Sequence, residues 1–285
     1  MDGSDGQSGV DDDRFGVELR YACDLERLGA LAPRFIPSRL DTEGEAFLAA
    51  ALQRQHTRAA AWAHRALTLL VSDFDANALL GMYPVFLLST PQAQQLLEAA
   101  RPGGVATARL LDIGAGSGDV TTRLAPLVDH IECTEASRFM ARRLRRRGLH
   151  CWHGRVGEGA AGDPLASAAR HDVIALLNVV DRASKPRSLL ASVARRLLPG
   201  GLLLLATPLP YDPFYYAGAA TLAPEEKLAV TAERWEDATL ELWQNELEPL
   251  GLELRALTRL PYLSGGDRQH PAYILDDVVL VCAKR

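Results

Sequence analysis

The stretch Leu110-Leu111-Asp112-Ile113-Gly114-Ala115-Gly116-Ser117-Gly118 constrains this chain more than any other. An apolar run ends in an acid and a glycine-rich turn, and a helix-like segment opens near Asp119. That is the pattern of the first β-turn-α unit of a nucleotide-binding sheet. Glycine reaches positive φ without a Cβ penalty, so the backbone can lie against a ligand beside a helix N-terminus. The spacing is D-x-G-x-G-x-G. It is neither the phosphate cradle G-x-x-x-x-G-K-[ST] nor a strict G-x-G-x-x-G. The turn points to a nucleotide-like ligand without saying which one.

The chain of 285 residues suits one large domain, or one domain with an appendage. A net charge of −5 gives no general attraction to nucleic acid or to an anionic membrane, so neither is expected as a partner. The run Arg142, Arg143, Arg145, Arg146, Arg147 reads as a solvated helix face in preference to an anion patch. Cys133, Cys151 and Cys282 lie in or beside strand-like runs and read as buried thiols; with no C-x-x-C pair, neither a metal site nor a disulfide framework is expected. No apolar run reaches the ~18 residues of a membrane span. Met1–Asp13 is acidic and glycine-rich with no signal-peptide pattern; the compartment stays open, with a soluble, intracellular protein favoured, and separately a monomer is expected.

Residues 1–15 read as a disordered tail and 16–100 as an all-helical cap or lid. One or two helices are expected within 42–70, another near 72–82, and a further one at 91–100 with Thr90 as N-cap and Pro91 at N1. Strand and helix then alternate through 101–285. Strands are expected at 108–113, 130–135, 150–153, 172–177 and 202–207, with helices from near 119, at 137–147, at 186–198 and at 233–249. An insertion at 208–232 carries Tyr211, Phe214, Tyr215 and Tyr216, which either stack on a ligand or pack the insertion onto the sheet. Two last strands, 252–260 and 272–283, have no helix between them and should pair antiparallel. The sum is an α/β fold, a mostly parallel doubly wound sheet of seven strands with an antiparallel C-terminal hairpin and an N-terminal helical cap.

Glu135 ends the second strand, 23 positions after Asp112, where an acid can accept two hydrogen bonds from a ribose diol. It could instead cap the helix at Ser137. Asp112 sits directly inside the strand end, where a dinucleotide site prefers a small or apolar residue; an acid there could receive an ammonium. Leu177-Asn178-Val179-Val180-Asp181-Arg182 ends the fourth strand, and side chains there face the ligand crevice, unless Asn178 and Asp181 only cap the next helix.

The glycine turn resembles motif I of S-adenosylmethionine-dependent methyltransferases of class I, the Rossmann-like type. A narrower resemblance rests on Leu111–Gly116, Thr134–Ser137, Leu177–Arg182, Arg259-Leu260-Pro261-Tyr262-Leu263 and Tyr273-Ile274-Leu275-Asp276-Asp277, in that order. Together they are similar to the DREV family, over about residues 34–284. The resemblance implies a protein-histidine methyltransferase that uses S-adenosyl-L-methionine, releases S-adenosyl-L-homocysteine, and modifies the pros nitrogen (Nδ1) of histidine in His-x-His motifs of protein substrates. The acceptor alternative is another protein side chain or a small molecule. Asp112, Gly114, Gly116, Glu135, Asn178 and Tyr262 would then meet the cofactor. Asp181 and Tyr273 would face the target imidazole with Asn178, and Tyr211 would help to bind substrate. Glu158 and Asp163 both remain possible as an adenine-contacting acid. Some animal members of that family carry a secretory-type leader, which this sequence does not show.

Overall fold

The computed structural model describes residues 10–12, 17–53, 84–157, 163, 165, 170–217, 220–265 and 272–285. Among them the elements are β1 (Val10–Asp12), β2 (Val17–Leu19), α1 (Leu25–Leu28), α2 (Thr42–Leu52), β3 (Val85–Phe86), α3 (Thr90–Ala100), β4 (Arg109–Ile113), α4 (Thr121–Leu124), β5 (His130–Glu135), α5 (Arg138–Arg146), β6 (His150–His153), β7 (His171–Leu177), α6 (Pro186–Arg196), β8 (Leu197–Pro208), β9 (Tyr215–Ala217), β10 (Ala220–Leu222), α7 (Trp235–Glu241), β11 (Leu252–Gly265) and β12 (Ala272–Lys284).

The main sheet runs β3-β11-β12-β8-β7-β4-β5-β6. Its β8-β7-β4-β5-β6 part is parallel. The β11–β12 hairpin is antiparallel and adds to β8, as the absence of an intervening helix requires. The central parallel strands β4, β7 and β8 are buried on both faces, while β6 at the edge is largely exposed. In β4, Leu111 and Ile113 join one core cluster and Leu110 the other; in β7, Ile174 and Leu176 face one way and Val173 and Ala175 the other. Period-two alternation therefore feeds two cores. One holds the buried side chains of α6 and α7, the other those of α2 and α3. A smaller cluster of Cys133, Cys151, Ala141 and Leu144 seats α5, and the three strand-associated cysteines are buried as expected.

Several sequence expectations need correction. The sheet has eight strands, not seven: Val85–Phe86 pairs antiparallel with Leu263 and Ser264 at the edge. The lead is therefore not all helical, because Phe86 is apolar enough to be buried against α2 and the hairpin. The expected tail contains a paired strand, with Val10–Asp12 matched to Val17–Leu19 and Leu19 buried in the core. Helix α3 is capped by Ser89, not Thr90. The Ser89 hydroxyl accepts the Gln92 N–H while the Gln92 side chain accepts the Ser89 N–H, a reciprocal capping box that outcompetes the alternative start. The helix expected from near Asp119 is a single turn beginning at Thr121. The helix at 233–249 begins as α7, widens to a π-helix over Leu242–Leu247 and tightens to a 3₁₀ turn before Gly251 at φ 73°. The insertion folds a short hairpin, β9–β10. The helices expected beyond residue 53 and near 72–82 lie outside the described residues. Among the described residues no helix is long and apolar enough to cross a membrane.

Candidate functional site

The glycine turn leaves β4 at the carboxyl end of the parallel sheet. Gly114, Gly116 and Gly118 all take positive φ, at 75°, 55° and 83°. Gly114 is needed for space as well as for φ: a Cβ there would lie 2.6 Å from Val179 Cγ2, on the segment that follows β7. Gly116 faces open space, with no atom within 4 Å of a Cβ built on it. The turn is thus closed on one side by the β7 segment and open on the other, the shape of a cradle.

Two acids brace this cradle. Glu135, buried at the end of β5, accepts the Gly116 N–H on Oε2 and the Ser137 N–H on Oε1, each at 2.8 Å. It does anchor the start of α5, as one sequence alternative had it, but it also holds the turn itself. Asp112 is buried at the end of β4 and accepts the Thr121 hydroxyl at 2.6 Å. Burial raises its pKa to about 6, with Glu135 adding to the rise and the Thr121 hydrogen bond opposing it. Asp119 joins the turn to the lead: its carboxylate accepts from Ser117, Arg147 and the Val85 N–H.

Beyond β7 the chain makes an abrupt corner. Asn178 has φ 55°, the one non-glycine residue at positive φ among those described, and its N–H donates to Ala206 of β8. A polar residue held in this sparsely populated region marks a place where the surroundings over-determine the backbone. Asp181 follows in a 3₁₀ turn and is 1% exposed. One of its oxygens, Oδ2, meets Arg182 at 2.8 Å, while Oδ1 is buried without a partner. Burial raises the proton affinity of Asp181, and Arg182 opposes the rise. Neither Asn178 nor Asp181 caps α6, whose N-cap Lys185 makes no side-chain cap.

The insertion holds this turn in place. The Phe214 N–H donates to the Asp181 carbonyl at 3.0 Å, and the Tyr211 hydroxyl donates to the Val180 carbonyl at 3.2 Å. The Arg182 guanidinium lies 3.8 Å over the Phe214 ring, which meets Tyr216 edge-on. Phe214 and Tyr211 therefore support the Asp181 turn from behind.

The C-terminal hairpin supplies the other wall. Asp277 pairs with Pro208 at the end of β8, so residues 272–276 and their partners on β11 project past the rim of the parallel strands. The register places Tyr273, Leu275 and Asp277 on one face, with Tyr262 opposite Leu275. Tyr273 lies four residues from Asp277, about 13 Å along the strand, and is 42% exposed near the hairpin tip. Tyr262 is raised in pKa by burial and by Asp277 and Asp181, so it stands close to both acids. Arg259 and Asp276, also in the two C-terminal motifs, pair with each other on the opposite face, and Arg259 donates to the Ala22 carbonyl. They tie the lead to the hairpin, away from the crevice. Of the two acids left open for a base contact, Asp163 is engaged by Arg196 at 2.8 Å and by the N–H groups of Gly157 and Leu165; Glu158 lies outside the described residues.

The residue that sequence reasoning missed is Asp277. It is fully buried, and both of its carboxyl oxygens lack a hydrogen-bond partner. Both polar atoms of the adjacent Asn178 side chain share that condition. Burial pushes the Asp277 pKa well above the ordinary carboxylate range; Asn178 opposes this, and Asp181 and Asp276 add to it. The available signal was an acid at an inward position of an otherwise apolar strand.

The glycine cradle after the first parallel strand, the strand order and the antiparallel hairpin define a class I, Rossmann-like methyltransferase fold. The chain belongs to the DREV methyltransferase family, whose sequence model matches residues 20–284. Solved structures similar to it include the N-methyltransferase NodS from Bradyrhizobium japonicum WM9 in complex with S-adenosyl-L-homocysteine (15% identity, 67% of this chain and 84% of that one, TM-score 0.42). Others are the TehB-like S-adenosylmethionine-dependent methyltransferase from Corynebacterium glutamicum (15%, 67% and 89%, TM-score 0.41) and the YcgJ protein from Bacillus subtilis (15%, 67% and 97%, TM-score 0.43).

Proposed function

We propose that this protein transfers a methyl group from S-adenosyl-L-methionine to Nδ1 of histidine in His-x-His segments of protein substrates. The observation that carries the reading is Asp181: a buried carboxyl at the rim of the parallel sheet, with one oxygen on Arg182 and the other unpartnered. A buried acceptor left open costs free energy unless a ligand donor completes it.

When bound, S-adenosylmethionine supplies an electrophilic methyl carbon on a sulfonium. The residues present fit such a donor. Gly116 leaves space over the turn. Asp112 offers a buried acid for an ammonium, and Glu135, whose carboxylate accepts the Gly116 and Ser137 N–H groups at the end of β5, is an acid where ribose hydroxyls would be met. Asn178, at the corner after β7, and Tyr262, close to Asp181 and Asp277, are the further residues we assign to it.

Neutral imidazole is already nucleophilic near pH 7, so no strong base is required. The harder task is tautomer choice, since attack by Nδ1 needs the proton on Nε2. Asp181 Oδ1 accepts that Nε2–H, orients the ring and stabilises the positive charge that develops on it. Burial raises the proton affinity of Asp181 and Arg182 opposes the rise, while Tyr211 and Phe214 hold its turn. Tyr273 and Leu275, exposed on the hairpin face, form an apolar wall for a peptide.

The same fold and cofactor site would serve another protein side chain or a small molecule, because the fold does not choose the acceptor. Incubation of the enzyme and labelled cofactor with a His-x-His peptide and its alanine-substituted control separates the readings. Histidine-dependent incorporation, with the methyl located on Nδ1 by NMR, is expected. Equal incorporation into both peptides, or none, would remove histidine as the acceptor.

A further inference from the structure

We propose that Asp277 and Asn178 form a reciprocal acid–amide pair: the Asp277 carboxyl donates its O–H to Asn178 Oδ1 and accepts an N–H from Asn178 Nδ2. Four buried atoms without partners belong to these two neighbouring side chains, Asn178 Nδ2 and Oδ1 and both oxygens of Asp277. A single proton accounts for all four. An ionised carboxylate can accept from Nδ2 but leaves Asn178 Oδ1 facing another acceptor. The neutral acid offers one donor and one acceptor, the complement of a primary amide. Two hydrogen bonds then close a planar ring, and the amide retains one N–H and one lone pair for the crevice.

The surroundings favour the neutral form. Asp277 is fully buried, and the other charged or titratable groups acting on it are Asp181, Asp276 and Arg182, with Tyr262 nearby. Two neighbouring buried acids do not readily ionise together. Arg182 touches Asp181, so Asp181 carries the charge and Asp277 keeps the proton. The pair also accounts for the Asn178 backbone: the side chain is clamped from β12 while its N–H is held by Ala206 of β8, which fixes the residue at φ 55°. Asp277 is thus a positioning residue that acts through Asn178. The inference rests on Asn178 belonging to the methyl-transfer site.

The test uses the full chain and the variants D277N and D277A. The amide introduced by D277N can make the same two hydrogen bonds without a titrating proton; the methyl of D277A cannot. A group whose folded pKa is raised contributes stability below its unfolded pKa and loses it as pH rises through the folded value. The thermal midpoint of ligand-free wild type should therefore fall, relative to D277N, as pH rises from the ordinary carboxylate range through neutrality. By calorimetry, S-adenosyl-L-homocysteine affinity should drop about tenfold in D277A, the size of a well-placed hydrogen bond, and D277N should restore most of it. Parallel midpoint-against-pH curves for wild type and D277N, or a D277N affinity as low as that of D277A, would overturn the pair. If D277A does not fold, D277N alone still decides. Both readouts need no methyl acceptor, so loss of the histidine reading would leave them unaffected.

Discussion

Gly114→Ala tests the geometry of the glycine cradle directly. At φ 75° an alanine costs about 1–2 kcal/mol from backbone sterics alone. Its Cβ would also lie 2.6 Å from Val179 Cγ2 and 3.3 Å from Cγ1, so Val179 must move; overpacking of this kind costs about 1–3 kcal/mol. Gly116→Ala is the internal control: its φ is 55° and its Cβ meets nothing, so only the backbone cost applies. A chain of this size shifts roughly 2–4 °C per kcal/mol. The thermal midpoint of Gly114→Ala should thus fall about 2–12 °C below that of Gly116→Ala, the excess being the collision with Val179. Adding Val179→Ala should return most of that excess and none of the backbone cost, a favourable coupling in a double-mutant cycle. Because Val179 follows Asn178, cofactor affinity measured by calorimetry should fall in Gly114→Ala and recover in part in the double variant. Equal destabilisation of the two glycine variants, or purely additive effects with Val179→Ala, would refute the contact between the turn and the β7 segment.

Other expectations follow from single residues. Asp112 is fully buried with a pKa raised to about 6, so it contributes stability at low pH that is lost between about pH 4 and 6; Asp112→Asn should flatten thermal midpoint against pH across that window. Asp181→Asn should bind cofactor normally in calorimetry yet lower turnover by at least tenfold, and unchanged turnover with unchanged regiochemistry would end its proposed role. Arg182→Ala removes the cation that opposes protonation of Asp181, so the acid limb of the rate profile, already above the ordinary carboxylate range, should move to higher pH. Ser89→Ala breaks the capping box of α3 and should cost about 1 kcal/mol in chemical denaturation, leaving cofactor affinity intact.

The parallel half of the fold was legible in the chain because its signals are local. Apolar runs ending at Asp112 and at Leu177-Asn178, and the shorter strand-like stretch that ends at Glu135, are each followed by a turn or a helix start, which marks the strands and the end that faces a ligand. The hairpin was legible for the same reason, from two strand patterns without a helix between them. The capping of α3 shows how local signals compete: Ser89 and Thr90 are both fair caps, and the reciprocal bond to Gln92 decides between them. Val85–Phe86 gives no strand pattern of its own, since two residues are too few for a period. It becomes a strand because the edge of β11 is there to pair with.

The sequence by itself determined the strand order's raw material, the glycine cradle and the acids at the strand ends, because residue type and spacing dictate φ, burial and alternation over a few residues. The tertiary structure alone decided which of two adjacent aspartates enters the crevice. Asp276 turns to Arg259 and the lead, while Asp277 turns to Asn178, about 100 positions earlier in the chain. That choice follows from the register of β12 on β8, in which a shift of one residue would exchange the two faces. Asp181 is settled in the same way. Its turn and its pairing with Arg182 can be read locally, but Phe214 and Tyr211, which bond to the Asp181 and Val180 carbonyls, and the Phe214 ring against Arg182 arrive only once the insertion folds back onto that turn.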